Sequence, residues 1–216
     1  MKFKELKTEK DLEKYRHAIA KHIDVLLPLE YLKQGHVFAF VNHHEDICGG
    51  FALITKGPFR VLNSIPDFQG LSFDPSLKHT AEITGVWLSK TQSTKYSSLR
   101  FWLAVMAKVL ASRKKYFVYA YSTRKTGLKS IYKRANPEVI FCGETKILPG
   151  MPAPDHETIE VVFRRRILIQ ALKNPDFFIK RIIPKKKKKI SKEFYETESP
   201  ILPLIASSVE LGRRKS

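Results

Sequence analysis

Between Ala81 and Ser122 the chain carries two apolar β-type runs separated by one long helical period, and that arrangement leaves few folds open. AEITGVWLS holds a single charge, Glu82. YFVYAYS, from Tyr116 to Ser122, is dominated by aromatic and β-branched residues and is long enough for a buried strand. From Ser93 to Lys114 the apolar residues Leu99, Trp102, Leu103, Met106 and Leu110 recur at helical spacing. A strand, a helix and a strand in succession make a right-handed crossover between parallel strands. The fold is therefore expected to be α/β or α+β, a mixed twisted sheet with helices on both faces.

The flanking segments fit around that unit. Leu12, Tyr15, Ile19, Ile23 and Leu26 put one apolar face on a helix that begins within 8–33, with Thr8 as its cap. HVFAFV and GGFALIT predict a hairpin whose turn is NHHEDI. Gly57, Pro58 and Pro66 break the stretch FRVLNSIPDFQGLSF, which reads as a short strand and loop. Thr126 to Ala135 reads as a short helix closed by Asn136 and Pro137, followed by two late strands within VIFCGETKI and ETIEVVFRR. Residues 1–163 form one expected domain. Residues 164–216 form a basic C-terminal extension, with amphipathic helices over 164–183 interrupted near Pro175, then a flexible tail.

Charge narrows the class of partner. The net charge is +18, and the last 53 residues hold 15 basic side chains against 5 acidic. Such a field attracts nucleic acid, anionic lipid, phosphorylated cofactors or an acidic carrier protein. No apolar run approaches the ~18 residues of a membrane span. The charged N-terminal segment lacks the apolar core of a signal peptide, and two cysteines cannot build a disulfide framework. The expected setting is cytoplasmic, possible attachment to the inner face of the membrane included.

AEITGVWLSK, TQSTKYSSLRFWLAVMAKVL, YFVYAYS and KSIYKR, in that order, resemble the GNAT acyltransferase superfamily over roughly residues 10–163. Within it, GGFALITKGPFRVLNSIP followed by AEITGVWLSK is similar to acyl-homoserine-lactone synthases and acyl-carrier-dependent N-acyl amino acid synthases. Two departures matter. The Ser-Arg-Phe that follows the strand glutamate in that subfamily is Thr84-Gly85-Val86 here, which weighs against S-adenosylmethionine as substrate and a lactone as product. The phosphate loop, Gln92 to Ser98, has no glycine. Close approach of a pyrophosphate is then harder, and the single phosphodiester of a carrier-bound phosphopantetheine fits better than free coenzyme A.

The resemblance implies an N-acyltransferase that moves an acyl group from acyl-CoA or an acyl-carrier protein to a small-molecule or protein amine, without a metal. Glu82 would be the general base, since burial raises a carboxylate toward neutrality. It could equally be a solvent-facing or ion-paired strand residue. Tyr132 would protonate the leaving thiolate, or is a packing aromatic. Backbone N–H groups of Val86, Trp87 and Leu88 would polarise the thioester carbonyl. Ser93, Thr94, Lys95, Tyr96, Ser97 and Ser98 would hold the donor's phosphate at a helix N-terminus, or are an ordinary capped helix start. Ser122 would hydrogen-bond the pantetheine or the sulfur.

The adjacent His43, His44, Glu45 and Asp46 read as a polar turn rather than a metal site, because neighbouring strand side chains point to opposite faces. Cys142 reads as a buried structural cysteine. The alternative to catalysis is a non-catalytic basic module on the same scaffold, binding anionic membrane or, less readily, nucleic acid. For the membrane case, Ile167, Leu168, Phe177, Phe178, Ile182 and Ile183 would insert while Arg164–Arg166 and Lys185–Lys189 meet head groups.

Overall fold

A computed structural model describes residues 2–66, 76, 78–89, 96–124 and 126–182. In chain order the elements are β1 (Lys2–Leu6), α1 (Glu9–Ile23), α2 (Leu29–Leu32), β2 (Gly35–Val41), β3 (Ile47–Ile54), α3 (Arg60–Asn63), β4 (Thr80–Leu88), α4 (Ser97–Ala111), β5 (Tyr116–Ser122), α5 (Thr126–Tyr132), β6 (Glu138–Glu144), β7 (His156–Phe163), α6 (Arg164–Lys173) and α7 (Asp176–Ile182). The strands form one sheet in the order β1-β2-β3-β4-β5-β7-β6. Among the described strands only β4 and β5 run parallel; every other neighbouring pair is antiparallel. This is the expected mixed sheet.

Local chemistry sets the boundaries. Thr8 Oγ1 accepts the Asp11 N–H at 3.1 Å and caps α1. Asp24 ends the helix in the left-handed region, and Asn136 does the same for the 3-10 turn Lys133–Ala135 that follows α5. In the β2–β3 turn Asn42 Oδ1 accepts the N–H groups of His44 and Asp46, at 2.8 and 2.9 Å. His43 to Asp46 are therefore that turn, as expected.

Helices cover both faces. Against one lie Leu12, Tyr15 and Ile19 of α1, Tyr31 and Leu32 of α2, and Val61 and Leu62 of α3, packed with Val118 and Ile159. Against the other lie Phe101, Val105 and Val109 of α4, packed with Phe51, Phe117 and Val162. This corrects the expected face of α4. Its buried stripe is Phe101, Val105 and Val109, while Leu103 is exposed. The helix is apolar nearly all round, so periodicity alone does not choose the side that meets the sheet.

Three further readings change. Arg60–Asn63 is a helical turn, not a strand. Lys2–Leu6, inside the charged N-terminus, is an edge strand paired with β2. Cys142, expected to be buried, is exposed on β6, while Cys48 is buried. Beyond residue 163, α6 and α7 lie against the α4 face. Ile167 packs beside the core there, and the Trp102 and Phe177 rings meet at 5.8 Å.

The feature that prepares a site lies in β4. In the ladder with β3, Ala52 faces Thr84 and Gly50 faces Trp87, so β4 carries one residue more than its partner. Gly85 occupies the bulge at φ +65°, and Tyr15 Oη of α1 donates to its carbonyl at 3.0 Å. A Cβ there would run into the Ile19 side chain as well as forcing a left-handed conformation. Gly85→Ala is expected to lower unfolding free energy by about 2 kcal/mol or more in urea titrations. An unchanged midpoint would mean that the bulge tolerates a side chain.

Candidate active site

β4 and β5 pair only at Thr80–Tyr116, Ala81–Phe117 and Glu82–Val118. β5 stays paired with β7 along its whole length, from Tyr116 to Ser122. The two parallel strands therefore part after Glu82, and a cleft opens between their C-terminal ends. Its walls are the α1–α2 loop, α3, the end of β5, Tyr132 and the β6–β7 loop. Those walls are tied together. Leu26 N–H donates to the Gly150 carbonyl at 3.0 Å, and Lys146 N–H donates to the Ser64 carbonyl at 2.8 Å.

Glu82 lines this cleft and is wholly buried. Tyr31 Oη donates to its Oε1, and the Val61 N–H donates to its Oε2 at 3.1 Å. Burial pushes the carboxyl up to about 7 against the opposing pull of the Tyr31 and Val61 hydrogen bonds and the Arg60 charge. The same burial and the Glu82 charge hold the Tyr31 hydroxyl well above the usual tyrosine range. Glu157, on the cleft wall, is pushed up to about 6 by burial and by Asp155. Burial lowers the Arg60 guanidinium, which lines the cleft and whose Nη2 has no hydrogen-bond partner among the described residues.

Tyr132 reaches the cleft from the other face of the sheet. Its ring lies 4.5 Å from that of Tyr119 and 5.7 Å from that of Tyr121. Burial first, then the charges of Glu160 and Tyr121, hold its hydroxyl above the ordinary tyrosine value, so it keeps its proton at neutral pH. Tyr121 Oη donates to Glu160 Oε1 at 2.9 Å. Tyr132, Ile83 and Val86 also line a second, largely apolar cavity bounded by α4, α5, α6 and α7. These three residues thus line both spaces.

The structure thus brings Glu82, Tyr132, Val86 and Ser122 to one cleft. Trp87 points to the α1 face and stacks on His22 at 4.1 Å, and Leu88 packs on the α4 face. Ser93, Thr94 and Lys95 lie outside the described residues. Tyr96 precedes α4, where Ser97 is buried and Ser98 Oγ accepts from Arg181 Nε of α7 at 3.2 Å. That arginine, together with Tyr31, Arg60 and Glu157, was not singled out from the sequence. Each lies in a different segment, and none belongs to a recognisable spacing. Among the described residues no group of three His, Cys, Asp or Glu is placed to hold a metal ion.

Among solved structures, FeeM, an N-acyl amino acid synthase from uncultured soil microbes, matches 82% of this chain and 97% of its own, with TM-score 0.56 and 14% identity. The chain has the GNAT fold. Mutant forms of the spermidine/spermine N-acetyltransferase SpeG from Vibrio cholerae match 79% of this chain and 97% of their own, with TM-score 0.51 and 8% identity. No protein-family model and no curated protein matches the sequence.

Because the Tyr31 hydrogen bond favours the ionised form of Glu82, removing it has a defined sign. In Tyr31→Phe, the Glu82 carboxyl midpoint, read from side-chain NMR during a pH titration, is expected to rise above about 7. A midpoint that falls would show that the hydroxyl does not stabilise the carboxylate.

Proposed function

We propose that the chain is an N-acyltransferase that moves an acyl group from a thioester donor to an amine. The observation that carries this is Glu82, a wholly buried carboxyl poised at about 7 on the wall of the cleft where two parallel strands part. A base for an amine at neutral pH needs that pKa, and a general base works best when its pKa lies near the operating pH.

In the mechanism, the donor's thioester carbonyl lies against Val86 of β4, beside the Gly85 bulge, and the Val86 N–H polarises it; Trp87 and Leu88, paired with Gly50 and Gly49 of β3, do not line the cleft. The amine enters on the side of α3 and the β6–β7 loop. Its nitrogen attacks the carbonyl carbon as Glu82 accepts its proton, directly or through a water. The C–S bond then breaks, Tyr132 gives its proton to the sulfur, and an amide and a free thiol leave. Glu82 then releases its proton to solvent and Tyr132 takes one from it, which restores both groups, and Ser122 at the end of β5 can hydrogen-bond the departing arm.

Two features narrow the substrates. The apolar cavity continues from Ile83, Val86 and Tyr132, so the acyl group is read as a chain longer than acetyl. Arg60, half-buried in the cleft with an Nη2 that has no partner among the described residues, offers an anchor for a carboxylate. The acceptor is accordingly read as an amino acid, the acceptor class named for FeeM. The donor is acyl-CoA or acyl-carrier protein, and the glycine-free segment Gln92–Ser98 favours the carrier.

Glu82→Gln is expected to lower turnover roughly 10²–10⁴-fold while leaving the circular dichroism spectrum unchanged. Because Glu82 must be ionised to act, wild-type kcat/KM should show a break at about pH 7 on top of the slope from the amine's own ionisation, and that break should vanish in the variant. Across saturated acyl donors from acetyl upward, kcat/KM should rise by about fourfold per methylene until the cavity is full. Full activity in Glu82→Gln, or a preference for acetyl, would sink the corresponding part of the proposal.

A further inference from the structure

Helix α6 has two long faces of different use. Its inner side chains Ile167, Gln170, Ala171 and Asn174 wall the apolar cavity. Its outer stripe, at the i, i+3, i+4, i+7 spacing of one helix face, is Arg165, Leu168, Ile169 and Leu172. Leu168 is 45% exposed, Ile169 47% and Leu172 83%, and Ile179 of α7 adds a fourth apolar side chain at 48%. Half of the large apolar side chains exposed among the described residues thus fall within one stretch of twelve residues. Scattered exposed leucines are ordinary, but a concentrated patch marks a surface that something covers.

The charges around the patch indicate what covers it. Arg165, Lys173 and Lys180 are exposed on the same two helices. The only acid between residues 164 and 192 is Asp176, and it is engaged by Arg134 at 3.0 Å and Lys180 at 3.1 Å. The sequence then continues into Lys185–Lys189. A second copy of the chain would bring like charges together on this face. Nucleic acid would leave the leucines in water. An anionic lipid surface satisfies both halves, apolar side chains entering the head-group boundary and cations meeting the phosphates.

We propose that the outer face of α6 and α7 docks on anionic membrane. The anchoring side chains are Leu168, Ile169, Leu172 and Ile179. Ile167, Phe177 and Phe178 face inward on the cavity, so they do not insert as the sequence pattern suggested. The docking does not depend on the acyl-transfer reading. If both hold, the helices that touch lipid are those that wall the acyl cavity.

The test is co-sedimentation of the full chain with vesicles of phosphatidylcholine alone and of phosphatidylcholine with phosphatidylglycerol. Binding is expected only to the anionic vesicles and to weaken steeply with salt. Leu172→Glu, at a position too exposed to affect folding, should lower the partition coefficient by about tenfold or more. Ile147→Glu, at an exposed apolar position on the β6–β7 loop, should leave it unchanged. Absence of binding at low salt would overturn the proposal. So would binding that Leu172→Glu does not weaken, since the lysine run alone would then suffice. A dimer in solution that Leu172→Glu dissolves would also overturn it, by assigning the face to self-association.

Discussion

A carboxylate removed from water must be held by protein dipoles or give up its charge, and at Glu82 both happen in part. The Tyr31 hydroxyl and the Val61 N–H take one oxygen each, which draws α2 and α3 onto β4 from positions 51 and 21 residues away. These contacts do not restore the carboxyl to its ordinary range. It remains at about 7 against 4.5, so the folded state favours the protonated form. Stability from this group is therefore complete below about 4.5 and is lost as pH rises through about 7, on the order of 3 kcal/mol. A leucine at this position would avoid that loss. A buried acid kept at such a cost, facing a cleft, is the pattern of a working group rather than of a core.

The cleft follows from how briefly β4 and β5 stay paired. β5 satisfies its backbone against β7 over seven residues but against β4 over only three. β4 meanwhile bulges at Gly85 toward β3 and is fixed there by Tyr15. The bulge lies just beyond the last β4–β5 pair, Glu82–Val118, and past that pair the two parallel strands separate. The space between them is thus a product of sheet geometry. It needs no moving part to form, and it sets the buried acid of one face against Tyr132 of the other.

The sheet was largely legible in the sequence because its strands are continuous apolar runs. YFVYAYS matches β5 residue for residue, and the hairpin of β2 and β3 was marked by the polar NHHEDI between two β-rich segments. β1 was not legible, because three of the five residues of KFKEL are charged and the segment reads like the start of a charged helix. α3 was hidden by the prolines around it. Of the site, Glu82 was visible as the one charge in an apolar strand, and Tyr132 through family resemblance. Arg60, Tyr31 and Glu157 were not, because a cleft assembled from three separate segments leaves no spacing to read.

Charge is divided in a way that net charge conceals. The chain carries +18, and more than half of that excess lies beyond residue 163. Yet the cleft is lined by Asp24, Glu82, Asp155 and Glu157 against Arg60 and Arg124. A thioester donor is an anion by virtue of its phosphates, and an acceptor amine is a cation until it loses a proton. On the acyl-transfer reading, the outer field attracts the first and the cleft receives the second, so the two substrates are drawn to different parts of one molecule. Glu157, raised to about 6, is still largely ionised at neutral pH and can hold an ammonium. Glu82, about one unit higher, is on that reading the group that takes the proton once the amine reaches the parted strands. On the same reading, two carboxylates with separated pKa values in one cleft divide binding from proton removal.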